Sequence, residues 1–382
     1  MPTYGPPSIM FVRGKGSELW DADGKRYIDW LAGIAVCSLG HSNPDIAAAI
    51  TEQASKLLHV SNVFATEHQG PISTMLSQMI GRRGQVFFSN SGAEANEAAL
   101  KLARKWGGRG RHRVVCAFQS FHGRTLNTLA ATGQPAKWEA FMPLPDGFKH
   151  AVWADVADLE RQIDDSVAAV FLEPVQGEGG VNPATVEYFG AVRELCDERG
   201  LLFIVDEVQA GLARTGRWFG FQHFFDEGVG PDVVTMAKAL GNGMPIGACW
   251  ATPEAAASFK PGDHASTFGG QPMATSAARR TLELMMEMDA PAVAAQKATE
   301  IVTAVTALDG VRSTRGLGLL MAVELEPGID AKAVATTCLR NGLVLNAVTP
   351  TALRLTPPIT IPDDLIAEGT EILAASISEV QA

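Results

Sequence analysis

Three short segments of the sequence combine residue types that suit a single ligand. The first, residues 89–97, reads Ser-Asn-Ser-Gly-Ala-Glu-Ala-Asn-Glu and lies between an apolar stretch ending at Phe88 and an alanine-rich helical pattern. Small residues at a strand-to-helix turn leave backbone N–H groups free at the helix N-terminus, where a phosphate binds well. By itself the segment is more typical of an ordinary helix cap, formed by Ser91 or Asn90.

The second segment places carboxylates directly after a hydrophobic strand. Residues 201–205 are all apolar and run straight into Asp206 and Glu207. A carboxylate at the carboxyl end of a buried parallel strand faces the crevice in which open α/β sheets bind ligands. A capping or ion-paired aspartate is the alternative. No His or Cys lies nearby in sequence, and neighbouring strand side chains point to opposite faces, so an organic cation fits Asp206 better than a metal.

The third segment contains a lysine in apolar surroundings. Lys238 follows the apolar stretch 233–236, is flanked by alanines, and precedes Gly241 and Gly243. An amine in such a site loses basicity and becomes a nucleophile toward a carbonyl. Most lysines instead lay their stem on the surface with the charge in water, but the neighbours of Lys238 argue against that alternative.

Together the three segments meet the requirements of one cofactor. They supply a phosphate cradle, a carboxylate for a pyridinium nitrogen in Asp206, and a Schiff-base lysine in Lys238. This combination predicts pyridoxal 5'-phosphate.

The surrounding pattern predicts the elements that hold these segments. Short apolar runs without strict alternation indicate strands buried on both faces, at residues 86–89, 114–118, 167–172, 201–206, 233–236 and 246–250. Helical periodicity is present at residues 93–106, 186–196, 273–288 and 291–308. The alternation predicts an α/β fold with a mostly parallel sheet.

We expect a large cofactor-binding domain at residues 46–275. The N-terminal segment 1–45 and the C-terminal region 276–382 differ from it in character, with a turn into a strand at residues 24–29 and long helical stretches after Pro272. These two chain ends are expected to form a smaller α+β domain together.

Composition excludes several other classes of protein. The 382 residues carry 31 Lys+Arg against 42 Asp+Glu, a net charge of −11, and 46% are hydrophobic, which argues against disorder. No apolar run is long enough for a membrane span, the start does not resemble a signal peptide, and the five cysteines lack paired spacing, so we expect a cytoplasmic location without membrane contact.

A basic run offers the main alternative to an enzyme, a nucleic-acid or regulatory binding module. Six cations fall within 13 residues: Lys101, Arg104, Lys105, Arg109, Arg111 and Arg113. The acidic net charge and the lack of interleaved aromatic residues favour a solvated helix end, so no nucleic-acid partner is expected. The eight histidines show no metal-binding spacing, and we expect no metal.

The chain resembles the class III aminotransferases, which have the type I pyridoxal-phosphate fold. The resemblance covers essentially the whole sequence. It rests on residues 20–25 (WDADGK), 40–41 (GH), 90–96 (NSGAEAN), 121–125 (FHGRT), 173–180 (EPVQGEGG), 206–209 (DEVQ), Lys238 and 266–270 (STFGG).

The resemblance implies a cofactor site shared between two subunits of a homodimer. Ser91, Gly92 and Ala93 are expected to hold the phosphate. Ser266 and Thr267 belong to the segment that approaches the phosphate from across the subunit interface, with Thr267 making the contact. Each active site then needs both chains.

The resemblance also implies contacts to the cofactor ring. Phe121 is expected to stack on the ring, and Gln209 to contact its 3-hydroxyl oxygen. Asp206 pairs with the ring nitrogen, while Lys238 binds the cofactor covalently and moves the proton.

Substrate binding is expected to depend on Ser266 and on three charged residues. Arg124 resembles the family residue that holds the distant carboxylate, and Arg354 the one that binds the α-carboxylate of glutamate. Glu178 is expected to neutralise Arg354 while an ω-amine is bound. Ile34 stands where ornithine aminotransferases have a tyrosine that meets a free α-amino group, which favours N-acetylornithine as donor. Succinylornithine, free ornithine, 4-aminobutyrate and succinyl-diaminopimelate remain open.

Overall fold

The computed structural model describes residues 1–382. The strands are β1 Phe11–Lys15, β2 Glu18–Asp21, β3 Arg26–Asp29, β4 Gln85–Ser89, β5 Arg113–Ala117, β6 Phe148–Ala151, β7 Val167–Leu172, β8 Val175–Gln176, β9 Asn182–Pro183, β10 Leu202–Asp206, β11 Val233–Met236, β12 Gly247–Ala251, β13 Val311–Leu317, β14 Leu320–Leu325, β15 Leu343–Val344, β16 Asn346–Ala347 and β17 Ala352–Leu355.

The helices are α1 Ala32–Ala35, α2 Pro44–Lys56, α3 Gln69–Ile80, α4 Gly92–Gly107, α5 Leu126–Ala131, α6 Val156–Gln162, α7 Val186–Arg199, α8 Pro253–Ala256, α9 Pro272–Glu287, α10 Ala290–Thr306, α11 Ala331–Asn341 and α12 Asp363–Gln381. Short 3-10 helices cover Pro135–Lys137, Glu139–Phe141, Gly220–His223 and Lys238–Gly241. None of the helices combines the length and apolar character needed to cross a membrane.

A seven-stranded sheet in the order β4-β12-β11-β10-β7-β5-β6 forms the centre of the molecule. The predicted strands are all present, and the pairs among β11, β10, β7, β5 and β6 are parallel. Strand β12 runs antiparallel to both β11 and β4. The sheet is therefore mostly parallel, as predicted, with one reversed strand. Strand β6 was not predicted, because its Phe-Lys-His-Ala sequence lacks an apolar run.

Burial explains why the central strands are continuously apolar. Every residue of β7, β10, β11 and β12 is buried. Helix α4 packs on one face of this sheet through a stripe that includes Ala95, Ala98, Ala99 and Leu102. Trp106, which the same period assigns to this stripe, is 38% exposed because it lies in the last turn of the helix.

Two four-stranded sheets lie outside the central one, in addition to the two-stranded sheet β8-β9. The first has the order β1-β2-β3-β15 and the second the order β13-β14-β17-β16. In the first, strand β15 from the C-terminal region pairs in parallel with β3 from the N-terminal segment. The two chain ends are thus joined by backbone hydrogen bonds, and the domain limits given above stay a prediction.

Candidate active site

A cavity of about 420 Å³ opens at one edge of the central sheet. Strands β4, β10 and β11 run in the same direction, so their carboxyl ends meet at this edge, where open α/β sheets bind ligands. The walls include nine residues that the sequence analysis singled out: Ser91, Gly92, Ala93, Phe121, Arg124, Glu178, Asp206, Gln209 and Lys238.

The N-terminus of α4 forms one wall of the cavity. Ser91 caps the helix, its side chain accepting a hydrogen bond from the Glu94 N–H at 3.2 Å. The Glu94 carboxylate in turn accepts from the Asn90 N–H at 2.7 Å. The N–H groups of Gly92 and Ala93, in the first turn, have no acceptor within the protein. The helix end therefore has both features: Ser91 caps it as expected, and its free N–H groups suit an anion.

Asp206 is held in one orientation by three donors. Its Oδ2 accepts from Asn96 Nδ2 and from His122 Nδ1, both at 2.8 Å, and its Oδ1 accepts from the Val208 N–H at 3.0 Å. The side chain is nearly fully buried. A carboxylate surrounded by donors in a dry site stays available to a cationic partner in the cavity.

The two side chains that orient Asp206 were missed in the sequence analysis. His122 is buried, stacks on Phe171 with ring centroids 4.0 Å apart, and lies 84 residues from Asp206 in the chain. Asn96 is 110 residues away. The sequence did contain a signal for Asn96, which is a polar residue within the buried alanine-rich face of α4. A buried Asn needs a hydrogen-bond partner.

Lys238 lies two residues after the end of β11 and lines the cavity. Its backbone has φ +43°, a left-handed conformation uncommon for a residue with a side chain. Burial lowers the pKa of its amine to about 8, with Glu178 opposing and Arg354 assisting that shift. The direction agrees with the prediction from its apolar neighbours, and the neutral amine is far more populated near neutral pH than in an ordinary lysine.

Phe121 is positioned by a buried acid that the sequence analysis did not single out. The Phe121 N–H donates to Glu173 Oε2 at 3.1 Å. Burial, together with the nearby Asp206, raises the pKa of Glu173 well above its ordinary value. Glu173 thus fixes the backbone of Phe121, and burial disfavours the charged form of its carboxyl.

Arg354, on β17, lies behind the cavity wall and meets it through Glu178. The guanidinium is 1% exposed, and its Nη1 donates to Glu178 Oε1, to the Gly177 carbonyl and to Gln209 Oε1. Burial opposes ionisation of Glu178, but the charge and hydrogen bond of Arg354 hold its pKa below the ordinary value. The predicted pair is present, and Gln209 belongs to the same network.

Arg124 differs from Arg354 in being free. It is exposed, forms no salt bridge, and lies with its guanidinium 5.7 Å from the centroid of the Phe121 ring. An unpaired guanidinium at the cavity edge suits a carboxylate.

Three other predicted residues do not line the cavity of this chain. Ser266 Oγ accepts from Asn90 Nδ2 at 3.1 Å, next to the α4 N-terminus. Thr267 is exposed, and its contact with the partner subunit's site stays a prediction. Ile34 has φ +67° in the irregular α1 segment, and the nearby Val36 lines the cavity instead.

The cavity fits pyridoxal phosphate on three observations. An added Cβ at Gly92 would lie 2.8 Å from Val208, and one at Gly123 would lie 2.5 Å from Thr128, so only glycine leaves room at this wall. The unpaired N–H groups of α4 suit a phosphate, and Asp206 suits a protonated ring nitrogen. Lys238 supplies an amine of lowered basicity for the aldehyde.

The fold and cavity define a pyridoxal-phosphate enzyme of the aminotransferase type, and the family comparison agrees. The model of the family described as aminotransferase class-III matches residues 2–377. The chain belongs to this family, and it is a pyridoxal-phosphate-dependent aminotransferase.

Similar proteins include several acetylornithine aminotransferases. That of Corynebacterium efficiens is 49% identical, covering 100% of this chain and 95% of its own, and that of Caldanaerobacter subterraneus is 43% identical, covering 100% and 98%. Among solved structures, N-acetylornithine aminotransferase from Stenotrophomonas maltophilia has a TM-score of 0.85 at 35% identity, with 98% and 97% covered. Ornithine aminotransferase from Toxoplasma gondii has a TM-score of 0.93 at 32% identity, with 100% and 93% covered.

Proposed function

We propose that this enzyme transfers the δ-amino group of N2-acetyl-L-ornithine to 2-oxoglutarate, giving N-acetyl-L-glutamate 5-semialdehyde and L-glutamate. The observation that carries the proposal is the pairing of the buried Arg354 with Glu178 at the cavity wall, since one site must serve an amine donor and a dicarboxylate acceptor. Full-length relatives at 41–49% identity named acetylornithine aminotransferase support this donor.

The residues around the cavity have separate roles in holding the cofactor. The free N–H groups of Gly92 and Ala93, with the cap residue Ser91, bind its phosphate. Phe121 would cover its ring, and Gln209 would contact its 3-hydroxyl oxygen. When bound, the cofactor withdraws electrons from the substrate carbon that bears the amino group.

Two residues handle the protons of the reaction. Asp206, oriented by Asn96 and His122, keeps the ring nitrogen protonated. Lys238 would hold the cofactor through its aldehyde carbon and would serve as the base for the proton of the substrate carbon. An amine whose pKa lies near 8 suits this task, because both protonation states are populated near neutral pH.

The charged residues distinguish the two substrates. Arg124 holds the carboxylate far from the reacting carbon in both. Arg354 meets the near carboxylate of 2-oxoglutarate or glutamate, and Glu178 then moves aside. With an ω-amine bound, Glu178 stays on Arg354, because an unpaired guanidinium in a dry pocket is costly.

We place the enzyme in arginine biosynthesis, in the cytoplasm, as a homodimer. Thr267 and Phe268 are exposed beside Ser266, which touches the α4 N-terminus through Asn90. This segment can therefore reach the phosphate site of a second copy, and twofold dimers are the commonest oligomers. All five cysteines are unpaired, which agrees with a reducing compartment.

Free ornithine is the second candidate donor, because an ornithine aminotransferase is among the solved structures with this fold. Steady-state kcat/KM with 2-oxoglutarate as acceptor separates the candidates. The donors to compare are N-acetylornithine, succinylornithine, ornithine, 4-aminobutyrate and succinyl-diaminopimelate. N-acetylornithine is expected to give the highest value by tenfold or more, on the order of 1.4 kcal/mol of transition-state binding.

The Lys238→Ala protein serves as the background control for each donor, since it lacks the proposed base. A higher kcat/KM for any other amine contradicts the proposed donor. Turnover by Lys238→Ala at the wild-type rate contradicts the role of Lys238.

A further inference from the structure

A second cation, Lys137, lies near the ring of Phe121, which lines the cavity together with Arg124. The Lys137 Nζ lies 5.4 Å from the centroid of the Phe121 ring, and the Arg124 guanidinium lies 5.7 Å from the same centroid. Neither side chain forms a salt bridge, and Lys137 is half-buried. Two cations therefore lie near the Phe121 ring, and neither is paired with a protein carboxylate.

Lys137 is held at this position by its own loop. Gln134 donates from Nε2 to the Ser120 carbonyl at 3.0 Å, next to Phe121, and accepts from Lys137 Nζ through Oε1. The following residue, Trp138, donates from its indole to the Leu129 and Thr132 carbonyls at 3.1 and 2.8 Å. The amine is thus tied to the segment that carries Phe121 rather than free in solvent.

Placing two like charges together costs free energy unless an anion lies between or beside them. Burial lowers the pKa of the Lys137 amine, and the charge of Arg124 lowers it further, while Glu178 acts in the opposite direction. Arg124 and Glu178 are the charged groups that act on Lys137. Glu178 is already paired with Arg354, so the anion that relieves the repulsion has to come with the substrate.

We propose that Lys137 is a specificity-determining residue that supplies a second positive charge for the distal carboxylate of the substrate, next to Arg124. The inference rests on the proposed function in one respect, that Arg124 faces that carboxylate. Arg124 provides a planar fork and Lys137 a point charge, so the pair favours acceptors with a second carboxylate over those without one.

The test compares two acceptors of equal chain length in single-turnover reactions of the amine-loaded holoenzyme. 2-Oxoglutarate has the distal carboxylate, and 2-oxopentanoate has a methyl group there. In Lys137→Met, the half-saturation concentration for 2-oxoglutarate is expected to rise about tenfold, and that for 2-oxopentanoate to stay within twofold. The maximal rates are expected to change little, because the charge acts on binding.

Two further variants show whether charge is responsible. Lys137→Arg is expected to keep the half-saturation for 2-oxoglutarate within threefold of wild type. Lys332→Met, which removes an exposed lysine on α11, is the matched control and is expected to change neither acceptor. Added salt is expected to weaken 2-oxoglutarate binding less in Lys137→Met than in wild type.

An equal loss with both acceptors in Lys137→Met would show a structural role and overturn the proposal, as would an unchanged value for 2-oxoglutarate. Failure of the proposed donor is a separate result, because these measurements use only the acceptors. An enzyme that rejects N-acetylornithine and still shows the Lys137 effect refutes the donor and supports the second cation.

Discussion

Two arginines are almost completely buried in this molecule, and their surroundings differ. Arg354, beside the cavity, is paired with Glu178, whose side chain keeps 30% of its surface exposed. Arg214, in the segment between β10 and β11, has no carboxylate partner. Its guanidinium donates to the Leu319 and Pro357 carbonyls and to Ser38 Oγ.

The partners determine what each arginine can do. Glu178 lines the cavity and has solvent on one side, so it can leave Arg354 when a substrate carboxylate takes its place. The acceptors around Arg214 are backbone carbonyls and a buried hydroxyl that cannot leave. A buried cation with a replaceable partner suits ligand exchange, whereas one with fixed neutral partners holds the fold together.

The largest expected effect separates the two half-reactions at Arg354. Arg354→Ala is expected to lower the efficiency of the 2-oxoglutarate half-reaction by a factor on the order of 10² or more, because a charged contact to the near carboxylate is lost. The N-acetylornithine half-reaction is expected to change less than about fivefold, since that substrate leaves Arg354 paired with Glu178. Single-turnover absorbance of the bound cofactor measures both.

Arg124→Ala provides the contrasting variant. Arg124 is expected to hold a carboxylate of both substrates, so its loss is expected to slow both half-reactions. Equal losses in the two halves for Arg354→Ala would show that Glu178 and Arg354 do not form the proposed switch.

Arg214→Met is expected to act on stability instead. The variant leaves two carbonyls and the Ser38 hydroxyl without this donor, which destabilises the fold, but it also removes a buried charge, which stabilises it. The net effect is expected to lower the free energy of unfolding by about 2–3 kcal/mol. Urea denaturation of the holoenzyme measures this loss. Both half-reactions are expected to stay within threefold of wild type, because Arg214 does not line the cavity. A normal urea midpoint combined with a slowed acceptor half-reaction would reverse the assignments of the two arginines.

The same contrast shows what could be read from the sequence. Asp206 ends the apolar strand β10 and Lys238 lies two residues after β11, so their placement at the sheet edge could be predicted from neighbouring residues. The surroundings of Arg214 could not be predicted in this way, because its hydrogen-bond acceptors lie 105, 143 and 176 residues away in the chain. Likewise, His122 and Asn96 are recognised as partners of Asp206 only after the strands are assembled.

Strands show the same limit. Buried apolar runs predicted β7 and β10, because strands covered on both faces need apolar residues throughout. The direction of β12 was not predictable, since a strand buried on both faces has the same composition whether its neighbours are parallel or antiparallel. The polar edge strand β6 gave too little signal, with three of its four residues only half-buried.

The smallest expected effect concerns the N-terminal segment that Arg214 contacts through Ser38. His41 Nε2 lies 2.6 Å from Asp29 Oδ2, and Asp29 Oδ1 accepts from the Leu31 and Ala32 N–H groups at 2.9 and 2.8 Å. The Asp29 hydrogen bond, assisted by one with Cys37, raises the pKa of His41 to about 10. The charged histidine thus stabilises the segment that leads to the cavity wall at Val36.

Since the pKa of His41 is higher in the folded state than the ordinary 6.5, its contribution to stability is complete below about pH 6.5 and is lost as the pH rises toward about 10. His41→Gln keeps a neutral donor near Asp29 and removes this dependence. Its free energy of unfolding is expected to fall short of wild type by about 1 kcal/mol at pH 6, after allowance for solvent screening, and the difference to shrink steadily between pH 7 and 10. Urea midpoints of the two proteins, measured at each pH, give this difference directly. A difference that stays constant with pH would show that His41 supports the segment by packing alone. The contrast between exchangeable and fixed partners would then not extend to the His41–Asp29 pair.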